Sequence, residues 1–185
     1  MAAREALTAE YVRSILDYNP ETGEFRWKDR TPEMFASGNR PVGWRCRNLN
    51  SKWAGKIAGT LHPGGHIIIR IFKINYKAHR LAWVYMTGAW PNDEVDHINR
   101  IGSDNKFANL REANHAQNMA NRIAQSNNTS GFKGIDWHRQ TGKWRARIMV
   151  NGAAFHLGLF ESKDSASSAY EIAAKTRCGK FARVK

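Results

Sequence analysis

Thiols are scarce in this chain. Its 185 residues contain two cysteines, Cys46 and Cys178, far apart and with no Cys-x-x-Cys pair. That argues against a structural zinc site built from thiolates and points to a reducing, cytoplasmic setting. Long apolar runs are missing too. No stretch approaches the roughly 18 residues a transmembrane helix requires, so no membrane partner is expected. Residues 1–10 carry acids and no apolar core, which does not fit a secretory signal. Acidic residues are also short, 16 against 29 Lys and Arg, for a net charge of +13 and a pI near 10.1. Excess cationic side chains gain from counterion release on a phosphate backbone, so a polyanionic partner is expected. What the chain does have is 42% hydrophobic residues and seven tryptophans. The first is ordinary for a folded protein. The second suggests several small aromatic cores rather than one large aliphatic one. The length allows one medium domain or two small ones.

The charge is unevenly placed. Residues 1–95 hold 14 Lys and Arg against 9 Asp and Glu, residues 96–125 hold 4 against 3, and residues 126–185 hold 11 against 4. The most basic unit is therefore the last sixty residues, and the middle is nearly neutral. Thr8 is expected to cap a helix to about Tyr18, with Tyr11, Ile15 and Leu16 on one face. A turn at residues 19–23 leads into a strand at 24–28. Residues 29–54 read as polar and irregular, anchored by Trp44 and Trp53. His66 to Phe72 reads as a strand. Ala78, Leu81, Ala82, Val84 and Tyr85 suit a helix that Gly88 ends. Two short strands, 95–98 and 109–112, can pair around a loop containing Gly102, with a helix over 113–123. Residues 125–131 have linker composition. Three strands are expected at 133–138, 143–150 and 153–160, turned at 140–142 and at Asn151-Gly152. A last helix follows from Lys163 to Arg177, with Ser162 as N-cap and Ala166, Ala169, Tyr170 and Ala173 facing inward.

One constellation carries chemistry. Asp96 and His97 are adjacent, Asn109-Leu110-Arg111 follow, and Asn118 lies on the next helix. Phosphodiester hydrolysis requires a metal to offset charge on the phosphate and a base to activate water. Mg²⁺ prefers oxygen ligands and keeps several waters, so one carboxylate (Asp96) and one amide oxygen (Asn118) suffice. Side chains alternate along a strand, so His97 faces away from Asp96. Asn109 is placed to hydrogen-bond backbone across the loop. His79 reads as a core residue, or else as a group supporting the site or contacting DNA, and His115 has no assigned part. Arg80, Arg100, Arg111 and Arg122 are candidate phosphate clamps.

These residues resemble a family. Val95-Asp96-His97-Ile98-Asn99, Asp104-Asn105, Ala108-Asn109-Leu110-Arg111, Asn114 and Asn118 are similar to the ββα-metal (His-Me finger) module of HNH endonucleases. The phage and intron-homing subtype, whose last histidine is an asparagine, is the nearest. His79-Arg80-Leu81-Ala82-Trp83 matches the lead-in helix of such phage proteins. The resemblance, over about residues 55–122, implies His97 as general base, Asn109 as the catalytic loop-orienting residue, and Asp96 and Asn118 as metal ligands. No second histidine follows Asn118 one turn later, where Arg122 stands, and this favours Mg²⁺ or Mn²⁺ over zinc.

The basic tail reads independently. In Lys143-Trp144-Arg145-Ala146-Arg147-Ile148, period two puts the cations on one face and Trp144, Ala146 and Ile148 on the other. A sheet of this kind fits a DNA major groove. Asn128 to Ile135, Lys143 to Ile148, His156 to Phe160 and Ala169 to Ala174 resemble the APETALA2-type DNA-binding domain, a three-stranded sheet on one helix. That resemblance implies DNA contacts from Arg139, Lys143, Trp144, Arg145 and Arg147, and from Lys133 and Trp137. Arg122 joins them as a candidate contact. Trp144 is in conflict, since alternation puts it on the helix side. Gly158 and Ala169 would serve close packing of sheet on helix.

The sequence therefore points to an α+β protein in two units: a nuclease module over 1–125, with its ββα core at about 93–123, and a DNA-binding unit over 126–185. The expected activity is metal-dependent cleavage of double-stranded DNA, of a homing or nicking type, by a monomer or a homodimer. The rival is a DNA-binding regulator with a degenerate nuclease module. An RNA-binding protein lacks the aromatic stacking platform it would need.

Overall fold

The computed structural model describes residues 7–36, 38–121, 128–150 and 152–182. The chain divides into two compact units, residues 1–112 and 113–185. The expected boundary at 125–126 lies outside the described residues.

The first unit opens with α1 (Ala9–Ile15). Thr8 caps it, its hydroxyl accepting from the Tyr11 amide, which satisfies one of the open donors of the first turn. The helix stops at Ile15, short of the expected Tyr18. Leu16–Tyr18 instead forms β1, paired antiparallel with β2 (Phe25–Trp27). The hairpin buries Leu16, Tyr18 and Phe25, and that burial overrides the helical propensity of the segment. Residues 29–54 hold more structure than their polarity suggests. α2 (Val42–Trp53) occupies about half of them, and Trp44 and Trp53 are exposed rather than anchoring. Its attachment is polar. Asn50 donates to the Arg30 carbonyl and accepts from the Arg30 amide, both at 2.9 Å, and Cys46 lies 2.8 Å from the same carbonyl.

β3 (Thr60–Leu61), β4 (Ile67–Ile71) and β5 (Ile74–Lys77) form an antiparallel sheet in that order. α3 (Ala78–Thr87) follows at once and ends at Gly88 in the left-handed region. It lies on β4, β5 and α1, and Ala78, Leu81, Ala82 and Val84 join Val12, Ile15, Leu16, Phe25 and Ile69 in one core. Arg13 donates twice to the Tyr85 carbonyl, at 2.6 and 2.9 Å, which ties α1 to the end of α3.

β6 (Glu94–His97) and β7 (Leu110–Ala113) form a two-stranded sheet around the loop 98–109. The turn of the β1–β2 hairpin braces that loop. Tyr18 donates to the Asn105 carbonyl at 2.7 Å, and the Phe107 amide donates to Pro20. Gly23, at φ +77°, lies so close to the Asn105–Lys106 backbone that a β-carbon would not fit.

The second unit contains α4 (His115–Asn121), then β8 (Ile135–His138), β9 (Lys143–Val150) and β10 (Ala153–Phe160) in the order β10-β9-β8, and α5 (Lys163–Cys178). Asn114 and Gln117 cap the start of α4 reciprocally, each side chain accepting from the other's amide at 2.9 Å. α5 packs on the sheet, with Ser162 as N-cap and Ala166, Tyr170 and Ala174 buried against Ile135, Ala146 and Ile148. Ala169 and Ala173 are half-buried, and Ala173 packs against that core. Of the expected linker, residues 128–131 are a hydrogen-bonded turn, in which Asn128 accepts from Ser130 and Gly131 and donates to the Phe132 carbonyl.

Candidate active site

β6 buries three successive residues, Val95, Asp96 and His97. Alternation sends Asp96 and His97 to opposite faces, and the two meet different partners. The Asp96 carboxylate accepts from Arg111 on β7 at 2.8 and 2.9 Å, both contacts on Oδ2. Both side chains are nearly out of solvent, at 7% and 11% exposure. Arg111, a candidate phosphate clamp in the sequence, is ion-paired here with a buried carboxylate.

Asn109 spans the loop. It accepts from the Asn99 amide at 2.9 Å and donates to Asn99 Oδ1 and the Asp104 carbonyl at 2.9 and 2.8 Å, while its own carbonyl accepts from Ile98. These bonds set the exit of the strand that carries His97. The His97 ring is buried, with Nε2 3.3 Å from Asn105 Oδ1. The Asn105 amide nitrogen donates to the Ser103 carbonyl, which orients the amide so that its oxygen faces the ring. That oxygen only accepts, so Nε2 carries the ring proton and Nδ1 the lone pair. Burial pushes the His97 pKa below its ordinary value; the Asn105 bond opposes the shift and His66 adds to it. A neutral imidazole with a lone pair on Nδ1 can take a proton from water at neutral pH.

Two more histidines meet His97. His79 on α3 is in edge contact with it, ring centroids 4.7 Å apart, and His66, just before β4, stacks at 5.7 Å. The His66 and His79 centroids are 5.1 Å apart. His66 Nδ1 lies 3.3 Å from the Gly102 carbonyl, and Gly102 comes so close to His66 and Gly65 that a β-carbon would collide with both. His79 is 4% exposed and its Nδ1 has no hydrogen-bond partner. Burial, followed by the neighbouring His97 and His66, drives its pKa down to about 2.

The chain matches the protein-family model described as HNH endonuclease over residues 76–120. It is also 31% identical over 97 residues to "Protein 3.8" of Escherichia phage T7, a stretch covering 50% of this chain and 78% of the phage protein. The chain belongs to one family with that phage protein. Its residues 76–120 are an HNH endonuclease family domain. No solved structure matches the chain. The family match stops short of the C-terminal sheet, and the APETALA2 resemblance there gains no support from it.

Asp96, His97, Asn109 and Asn118 all lie inside the HNH domain. Asn118 is half-buried on α4, its backbone amide donating to Asn114. Asp96 belongs to the first unit and Asn118 to the second; oxygen donors of these two kinds are the type that hard cations take in general. Two partners of His97 escape local sequence patterns. Asn105 is eight residues away in a loop, and His66 arrives from the far sheet. The one signal for Asn105 is its place in Asp104-Asn105; His66 has only the turn before it, Pro63-Gly64-Gly65.

In the C-terminal unit Lys143, Arg145 and Arg147 share one sheet face. Asp136 on β8 accepts from Arg145 at 2.7 Å and Arg147 at 3.1 Å, and Lys143 pairs with Glu161. Burial works against the Asp136 charge, but the hydrogen bond from Arg145 and the charge of Arg147 outweigh it and lower the pKa. Arg139 is exposed in the β8–β9 turn. Trp144 is on the other face, packed on the core with Lys163 5.0 Å over its ring and Trp137 5.1 Å away. Alternation therefore decides the conflict, and Trp144 does not join the cationic face. Lys133 donates to the Met119 carbonyl at 3.1 Å. Arg122 lies outside the described residues.

Proposed function

We propose that the chain is a metal-dependent DNA endonuclease that hydrolyses phosphodiester bonds, of the homing or nicking HNH type. The observation that carries this reading is a buried, neutral His97 inside an HNH endonuclease domain, its proton held on Nε2 by Asn105. His97 Nδ1 takes the proton of the attacking water, and Asn109 holds the loop that fixes the ring. Asp96 and Asn118 would hold Mg²⁺ or Mn²⁺, which would supply charge to offset that of the scissile phosphate. The ββα-metal arrangement belongs to this reading, as do the domain limits 1–125 and 126–185. The C-terminal unit grips duplex DNA through Arg139, Lys143, Arg145 and Arg147, and its sheet-on-helix architecture supports an APETALA2-like identity. Release of the counterions condensed on DNA makes such a grip salt-sensitive.

The Asp96–Arg111 pair is the observation that favours the rival, a DNA-binding regulator without activity, because a guanidinium already neutralises the carboxylate. A plasmid-nicking assay with Mg²⁺ and with chelator separates the two. Cleavage should need the metal, and His97→Ala should abolish it, a loss of roughly 100-fold or more for a missing general base, while DNA binding survives. Cleavage at the wild-type rate in His97→Ala would overturn the base assignment. No metal-dependent nicking by the wild type would favour the regulator.

A further inference from the structure

The imidazoles of His66, His79 and His97 offer one ring nitrogen each, and these three nitrogens all lie within 4.8 Å of one another. A tetrahedral zinc with Zn–N bonds of about 2.0–2.1 Å holds its nitrogens roughly 3.4 Å apart. Zinc binding would draw the three rings closer by rotation of their side chains. We propose that these three histidines form a binding site for a borderline-soft divalent ion such as Zn²⁺, separate from the oxygen ligands assigned to Mg²⁺.

Three independent features support the site. Imidazole nitrogen suits zinc and its late first-row neighbours, whereas Mg²⁺ selects oxygen. The His66 and His97 rings already have the outer partner that ligating histidines use, a carbonyl oxygen on the second nitrogen. For His66 that partner is Gly102 O through Nδ1, and for His97 it is Asn105 Oδ1 through Nε2, each at 3.3 Å. Neutral rings held this way carry their lone pairs on Nε2 of His66 and Nδ1 of His97. Finally, His79 is 4% exposed among imidazoles with an unpartnered Nδ1, a desolvated polar group that an interior normally avoids. A cation inside the trio offsets that desolvation.

The site has a consequence that rests on the proposed nuclease reading. His97 cannot ligate zinc through its lone pair and accept a proton from water with it. Zinc therefore competes with the base, and the chain is inhibited by zinc at Mg²⁺ concentrations that support cleavage.

The test uses the full chain and Co²⁺ as a spectroscopic stand-in for zinc. One equivalent of Co²⁺ should give the intense visible bands of a low-coordinate nitrogen site, and Zn²⁺ should displace them. His66→Gln is the deciding variant, because His66 is only half-buried and folding can be confirmed by circular dichroism. It should weaken the metal by more than the roughly 10–100-fold that outer-shell changes cost; His79→Gln should do the same where it folds. Asp96→Ala should retain the bands. Absent bands in the wild type, or bands that persist in folded His66→Gln, would overturn the site. Bands that vanish in an Asp96→Ala variant shown by circular dichroism to be folded would move it elsewhere and equally overturn it. These readouts do not involve cleavage, so they stand even if the nuclease reading fails. In the nicking assay, zinc inhibition that a zinc chelator reverses and that is weaker in His66→Gln links the site to the base.

Discussion

Acid should destabilise the first unit through His79, by an amount that follows from its burial. The ring is neutral in the fold, with a pKa of about 2 against an ordinary 6.5. Released into water, it regains the ordinary value. A basic group whose folded pKa is depressed binds its proton only in the unfolded state between the two values. Stability is therefore complete above pH 6.5 and falls as the pH drops below it. Each tenfold rise in proton concentration within that window costs about 1.4 kcal/mol, so going from pH 7 to pH 5 costs about 2 kcal/mol from this residue alone. His66 and His97 are shifted the same way and add to the loss. For a small unit this is a large part of the typical stability of about 5–15 kcal/mol. Urea unfolding between pH 5 and 8, in chelator so that no metal complicates the linkage, reads the slope. The NMR signal of the His79 Cε1 proton reads the cause. It should stay at its neutral position until the fold is lost. A His79 ring that titrates near pH 6.5 in the folded protein would refute the reasoning, because the burial that drives it would then be absent.

Arg111→Ala removes the guanidinium from the buried Asp96 carboxylate and should cost about 3–5 kcal/mol. Denaturant unfolding measures it, and adding Asp96→Ala should recover much of the loss; a cost under about 1 kcal/mol for the single change would mean the pair is not isolated from water. Gly134→Ala should unfold the C-terminal unit. At φ +71° a β-carbon overlaps the Arg147 carbonyl and the Tyr170 ring, and a native-like spectrum for residues 128–182 would refute the packing. Arg145→Ala with Arg147→Ala should weaken duplex binding at low salt. It should also reduce the slope of log affinity against log salt by about 0.9 for each phosphate that is no longer neutralised; an unchanged slope would remove the sheet from the DNA-binding surface. Removing residues 126–185 should flatten the slope further, and unchanged affinity would place the main anchor elsewhere.

The elements legible in the sequence share a property: their determinants are local. The N-cap Thr8, the left-handed Gly88, the N-cap Ser162 and the alternating strand from Lys143 each act within a few residues. The elements that differ from expectation depend on distant partners. Leu16 has a helical neighbourhood, but pairing with Trp27 and burial under the core make it a strand. Val42–Trp53 looks irregular because it lacks an apolar stripe. Only Cys46 in it is buried, and its hold on the unit is the Asn50 amide on the Arg30 backbone.

The site divides along the same line. Asp96 and His97 share one strand and Asn109 closes the loop that leaves it, so local sequence places all three on one hairpin, with Asp96 and His97 on opposite faces. Asn105 and His66 reach His97 through distant elements, the β1–β2 hairpin that braces the 104–107 loop and the β3–β5 sheet. His79 is the instructive case. In Ala78-His79-Arg80-Leu81-Ala82 its position reads as core, and it is core. Burial by itself, however, does not distinguish a histidine that fills space from one that serves a site. The neighbours do. A packing histidine gains a hydrogen bond from a carbonyl or hydroxyl on burial, which offsets its desolvation. His79 is instead buried against two further imidazoles with Nδ1 unbonded. Three basic rings can share such a space only while all are neutral, and the same neutrality makes each of them both a possible base and a possible ligand.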